Sequence, residues 1–247
     1  MEKIIILLVL LLVPVLTTAQ QPSAREIAQK IDELYRAESS YAEMEMHIVT
    51  EHWERTLRMK TWTEGTEKTF IRITAPAKEE GVGTLRIEND MWNYLPNTNK
   101  VMRIPPSMMM SSWMGSDFNN NDLVQEFSLL EDYNFQLIHP DTANPEYYYL
   151  QATPVEGRPI VWGKRISTVR KEDYIPVKEE YYDDDGQRMR VLTFSDIQTF
   201  DDREIPAVMK MNPLSEDGHT TVRYLDAEFN TDIPENIFTL RNLRTPE

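Results

Sequence analysis

Residues 53–73 read WERTLRMKTWTEGTEKTFIRI, in which Trp53, Leu57 and Met59 alternate with Arg58 and Lys60 before Ile71 and Ile73 flank Arg72. An extended chain turns alternate side chains to opposite faces, so a period of two marks strands with one buried face. The rhythm returns at Leu85 and Ile87 around Arg86, then through Trp92 and Tyr94 and the Val101 to Ile104 strand. Further on it runs from Tyr147 to Ala152, Ile160 to Val169, Pro176 to Tyr182, Met189 to Ile197, Ile205 to Met211 and Thr220 to Phe229. Asn89-Asp90, Asn97-Thr98-Asn99, Asp183-Asp184-Asp185-Gly186 and Glu216-Asp217-Gly218 separate these runs, and such residues favour tight hairpin turns. The pattern predicts a mainly β, antiparallel meander of roughly ten strands, either a curved sheet or a partial barrel.

Outside this rhythm, Ser23 is followed three residues later by Glu26, and Ile27, Ile31, Leu34 and Tyr35 recur at helical spacing. That is a capping box opening one amphipathic helix over Ser23 to Arg36. Two later segments also break the alternation. Pro105 to Phe118 carries a double proline and a cluster of apolar side chains with no strand period. Asn121 to Phe127 reads as a short helix that Asp122 can cap, presenting Leu123, Val124 and Phe127.

The first residues combine Lys3 with an apolar run from Ile4 to Leu16, followed by Thr17, Thr18 and Ala19. The run is too short to span a bilayer, and small residues stand where a signal peptidase cuts. Residues 1–19 are therefore expected to be a cleaved signal peptide that delivers residues 20–247, a single domain, to the periplasm. Cysteine is absent, which removes both a disulfide framework and a lipid-acceptor residue at the cleavage point. A net charge of −15 disfavours nucleic acid and anionic headgroups as partners. The four histidines are scattered without ligand spacing, so no metal is expected. The Asp183 to Gly186 run lacks the spacing of a calcium loop. Ser107, Ser111 and Ser112 stand in no nucleophile elbow, so no catalytic residue and no cofactor is expected.

Residues 91–124 read MWNYLPNTNKVMRIPPSMMMSSWMGSDFNNNDLV. The aromatic strand ending in Tyr-Leu-Pro, the turn, the basic strand end and the Met-Gly-Ser-Asp-Phe segment before Asp-Leu resemble a signature of the LolA-like outer-membrane lipoprotein-sorting proteins. The order of a helix and then strands, and the Ile233-Pro234-Glu235-Asn236-Ile237-Phe238 close, are similar to the same family. The resemblance implies an incomplete antiparallel β-barrel whose concave face is plugged by an N-terminal helix, short helices and loops. It also implies an apolar cavity for the acyl chains of lipoproteins or phospholipid, with no catalysis. Handover proteins in the inner and outer membranes would be its partners. A ligand-sensing, regulatory periplasmic domain of the same architecture is the alternative.

The candidate ligand-binding residues follow from these readings. Met108, Met109, Met110, Trp113, Met114 and Phe118 form a flexible apolar cluster that can repack around ligands as a lid, or else plug the core. Three consecutive methionines cannot all face inward, so part of this surface is expected to be exposed. Trp62, Trp92 and Tyr94 lie in alternating strands and either line the groove or pack in the core. Arg103, at a strand end, either meets a carboxylate or ligand headgroup or stays solvated.

Overall fold

The computed structural model describes residues 21–125, 129–157, 160–215 and 217–245. Helix α1 (Ala24–Tyr35) is followed by β1 (Ser39–Thr50), β2 (Glu54–Glu64), β3 (Lys68–Ala75), β4 (Gly83–Ile87), β5 (Asp90–Leu95) and β6 (Lys100–Arg103). A connection holding a 3₁₀ turn (Pro106–Met108), α2 (Asp122–Gln125) and α3 (Leu129–Asp132) leads to β7 (Tyr133–Ile138) and β8 (Tyr147–Pro154). Then come β9 (Lys164–Arg170), β10 (Pro176–Tyr182), β11 (Arg188–Phe200), β12 (Arg203–Pro213), β13 (Gly218–Phe229) and α4 (Leu240–Arg244). The 13 strands form one sheet in the order β6-β5-β4-β3-β2-β1-β13-β12-β11-β10-β9-β8-β7. Every pairing is antiparallel, and the sheet stays open because β6 and β7 remain its two edges.

The meander is thus the expected one, with more strands than the roughly ten predicted from periodicity. Periodicity reading passed over β1 and β7. In β1 the alternation is present: Ala42, Met46 and Ile48 are buried, whereas Glu43 and Glu45 pair across to Lys60 and Arg58 on β2. Such cross-strand charge pairs help fix register. Strand β9 starts at Lys164 rather than Ile160. Residues 1–20, Phe127, Glu216 and the side chain of Val124 lie outside what is described.

Helix α1 has the predicted capping box: the Glu26 backbone N–H donates to Ser23 Oγ and the Ser23 N–H donates to Glu26 Oε2. Its Ile27 and Ala28 are fully buried against Leu150 and Val169 of β8 and β9. The predicted turns at Asn89-Asp90, Asn97 to Asn99 and Asp183 to Gly186 connect predicted strands; Asn99 and Gly186 take the left-handed conformation that their residue types tolerate. Asp183 Oδ1 accepts from the Gln187 N–H, which closes the acidic run as a hairpin turn.

One face of β3 was expected to be solvated, and it is not. Residues 69–73 are all buried because the C-terminal segment covers the convex side of the sheet. There Phe70, Leu85 and Tyr94 pack with Ile237, Phe238 and Leu243. Arg72 reaches out of β3 to donate to the carbonyls of Gly81 (2.7 Å), Leu243 (3.1 Å) and Asn242 (2.8 Å), satisfying the open carbonyl end of α4.

Candidate functional site

On the concave side, alternation turns Met44 and Met46 of β1, Met59 of β2, Ile71 of β3, Leu192 and Phe194 of β11, Met209 and Met211 of β12 and Val222 of β13 inward. They enclose a cavity of about 270 Å³, with Ile31 and Tyr35 of α1 on one side. Ligand pockets commonly run from ~300 to 1,000 Å³, so this one has room for a single slender chain.

The connection from β6 to β7 has to cross the open side of the sheet, because those strands are its opposite edges. It therefore roofs the cavity. Trp113 is 2% exposed and donates from Nε1 to Thr84 Oγ1 at 3.1 Å, while its backbone N–H donates to the Phe118 carbonyl at 2.8 Å. The Asp117 N–H donates to Thr220 Oγ1 (2.9 Å), and the Thr220 hydroxyl donates back to Asp117 Oδ2 (2.7 Å). Arg190 of β11 grips Asp122 through both guanidinium nitrogens, one contact being 2.8 Å. On the far side Arg55 donates to the Met114 carbonyl and to Glu79. The roof is fastened to β2, β4, β11 and β13. Asp122 is the first residue of α2 and ties it to the sheet, and its own backbone N–H is capped by Asn119 Oδ1 (2.8 Å).

The predicted site residues do not come together in one place. Trp113 and Phe118 line the cavity, joined by Leu123. Met109 and Met114 pack against the same core cluster without reaching the cavity wall, and Met108 and Met110 are 47% and 42% exposed. Trp62, Trp92 and Tyr94 do not line the cavity. They sit on the opposite face of the sheet against the C-terminal segment, and Trp62 borders a separate hollow of about 340 Å³ edged by Lys60, Arg72 and Glu80. Their phase decides this: Trp62 follows Thr61, and Thr61 is the inward residue. Arg103 also lies away from the cavity, where it pairs with Asp90 at an exposed sheet edge.

Sequence reading missed a polar corner of the same cavity. Register places Ser167 opposite Glu179 and Arg165 opposite Tyr181 on β9 and β10. Arg165 donates from Nε to Glu179 Oε1 at 2.7 Å and its Nη2 lies 2.6 Å from the same oxygen. Tyr181 donates to Glu179 Oε2 (3.0 Å) and Ser167 to Oε1 (3.3 Å). Burial pushes the Glu179 carboxyl upward, but Arg165, Tyr181 and Ser167 together outweigh it and hold the group below its ordinary range. Burial lowers Arg165 as well, and Glu179 more than reverses this. Arg190 stacks its guanidinium 4.4 Å from the Trp162 ring centre and 4.3 Å from that of Tyr181, joining this corner to the Asp122 fastening. The signal was faint. Alternation predicts apolar side chains inward, and in Lys178-Glu179-Glu180-Tyr181-Tyr182 both phases carry a glutamate, so neither face declares itself.

A family model described as "Uncharacterized protein" matches residues 65–245. Among curated proteins no match is found. A DUF1329 family protein from Desulfovibrio piger superposes with a TM-score of 0.81 at 23% identity, covering 89% of this chain and 97% of its own. A candidate outer membrane lipoprotein-sorting protein domain from Vibrio parahaemolyticus gives 0.78 at 25% identity, with 90% and 98% covered. A LolA superfamily protein from Nitrosomonas europaea gives 0.76 at 23%, with 90% and 100% covered. Among the described residues no helix is long and apolar enough to cross a membrane.

Proposed function

We propose, from the premise that the chain belongs to the family matched over residues 65–245 and to the LolA-like superfamily, that it is a non-catalytic periplasmic carrier of lipid. It holds an acyl chain in the concave cavity and moves it toward the outer membrane. The observation that carries this reading is the roofed apolar cavity of about 270 Å³. Leaving a chain of about sixteen methylenes in water costs on the order of 13 kcal/mol, at roughly 0.8 kcal/mol per CH₂. A flat patch covers one side of such a chain, whereas a roofed groove surrounds the length that it holds. The vibrio relative, described as a lipoprotein-sorting domain, supports lipid as the cargo class. Periplasmic delivery rests on residues 1–19, and handover to membrane proteins at either side belongs to the same proposal.

The test is mass spectrometry of lipid extracted from the mature protein purified from an envelope fraction, with titration of a fluorescent acyl probe into the stripped protein. Co-purified acyl lipid and saturable probe binding at one site are expected. Clean protein that binds no probe overturns the reading. N-terminal sequencing of the exported protein is expected to begin at Gln20, and retention of residues 1–19 overturns the export signal.

A further inference from the structure

The cavity wall is mostly methionine, branched apolar and aromatic side chains with scattered threonines, and the most deeply buried ion pair on it is Arg165 with Glu179, whose side chains are 14% and 9% exposed; the Arg36 and Asp32 pair at the α1 side is more open, with Arg36 43% exposed. For stability alone this is a poor choice, because a buried ion pair is commonly matched or bettered by apolar side chains of similar volume. A ligand explains it. A chain lying along the apolar wall, with its head toward β9 and β10, brings that head to Arg165, Ser167 and Glu179, all of which line the cavity.

The charge count at the corner decides which head fits. Arg165 and Arg190 are balanced by Glu179 and Asp122, and Arg36, which lines the cavity beside α1, is balanced by Asp32. Tyr133 and Tyr181, whose rings flank Arg165, are driven by burial to stay protonated. The charges pair off to zero, so either a carboxylate or an ammonium head would bring an uncompensated charge into a low-dielectric corner. Both kinds of hydrogen-bonding group are on offer. Glu179 Oε2 accepts from Tyr181 alone among the described residues and has room for a second donor. Arg165 turns Nε and Nη2 to Glu179 and keeps Nη1 outside that pair.

We infer that the cavity selects a single-chain amphiphile with a neutral, hydroxyl-bearing head, of the monoacylglycerol type, and that Arg165 and Glu179 are the residues that read the head. A hydroxyl donates to Glu179 while an ester or second hydroxyl oxygen accepts from Arg165. The cavity volume, small for a ligand pocket, agrees with one chain rather than several. This inference rests on the carrier reading above.

The experiment displaces a fluorescent acyl probe from the stripped mature protein with three twelve-carbon compounds, 1-lauroylglycerol, laurate and dodecyltrimethylammonium, at a pH of about 8, where laurate is ionised. The neutral glyceride is expected to bind at least about tenfold more tightly than either ion, a difference of about 1.4 kcal/mol. In the Arg165→Met/Glu179→Leu double variant that preference is expected to fall to about twofold while displacement by the glyceride persists through its chain. Ser167→Ala, which removes one donor to Glu179 and leaves the pair, provides a milder variant that keeps the fold and is expected to lower the preference part of the way. Equal or tighter binding of laurate by the unaltered protein overturns the inference, as does an unchanged preference in the folded double variant. If none of the three compounds displaces the probe and the probe itself does not bind, the carrier reading has failed; if all three displace it equally, only the head selection has.

Discussion

Glu179 is held by three donor residues in a buried corner, and its behaviour with pH follows from that. Its folded value lies below the ordinary 4.5, so on acidification the unfolded chain takes up the proton first. The stability the corner supplies is complete above that ordinary value and is lost as pH falls through the lower folded one. Glu180, whose burial is outweighed by Arg188 and Lys178, is also held low and fades in the same direction. Urea midpoints followed from about pH 7 to about pH 3 are expected to decline in the unaltered protein, and to decline less in Arg165→Met/Glu179→Leu. Glu179→Leu alone strands a buried guanidinium and is expected to cost about 3 to 5 kcal/mol, more than the double variant, in which no charge is left over. An equal or larger loss in the double variant refutes the account. Arg103 is the contrasting case: its pair with Asp90 is exposed, and Arg103→Ala is expected to move stability by less than about 1 kcal/mol. Both arginines close basic stretches in the sequence, and nothing in their neighbours reveals that one faces a cavity and the other solvent.

Among elements, the connection between β6 and β7 divides into a plug and a surface. Trp113 fills the core beneath the roof, and Trp113→Ala is expected to cost about 3 to 5 kcal/mol and to lower the melting temperature steeply. Met108→Ser/Met110→Ser, on the exposed side, is expected to change the melting temperature little, with a shift worth less than about 1 kcal/mol. Calorimetry of the two variants separates these roles, and equal losses would contradict them. Asp122→Ala releases the roof from Arg190, so cleavage within 104–125 by a dilute protease is expected to quicken while the strands stay protected. Elements with a period were legible from sequence. The α1 capping box and most hairpins stand where periodicity put them, because one residue type does one local job there. The connection has no period, so its apolar content was readable and its division into buried and exposed methionines was not. That division is set by which strands it happens to cross. The convex-face packing of Trp62, Trp92 and Tyr94 was hidden for a similar reason: alternation separates two faces but does not say that a C-terminal segment turns back to cover the second.

At the scale of the molecule, the sheet has a seam where its first and last strands meet. Ser40 pairs with Phe229 and Thr50 with Gly218, so β1, near the start of the chain, finds its second neighbour only in β13. The inward residues of both strands face the same cavity, among them Met44, Met46, Val222 and Tyr224. A chain cut after Pro213 lacks β13 and leaves β1 and β12 as new, apolar-backed edges. That fragment is expected to bind no acyl probe and to aggregate, as judged by light scattering; a monodisperse, probe-binding fragment would show that the seam is dispensable. The seam also sets a clock. A ribosome supplies about 5 to 20 residues per second, so β13 is made on the order of ten seconds or more after β1. Until β13 is in place β1 and β12 each lack a neighbour, and any factor that handles the unfinished chain meets the apolar surface that the finished protein hides.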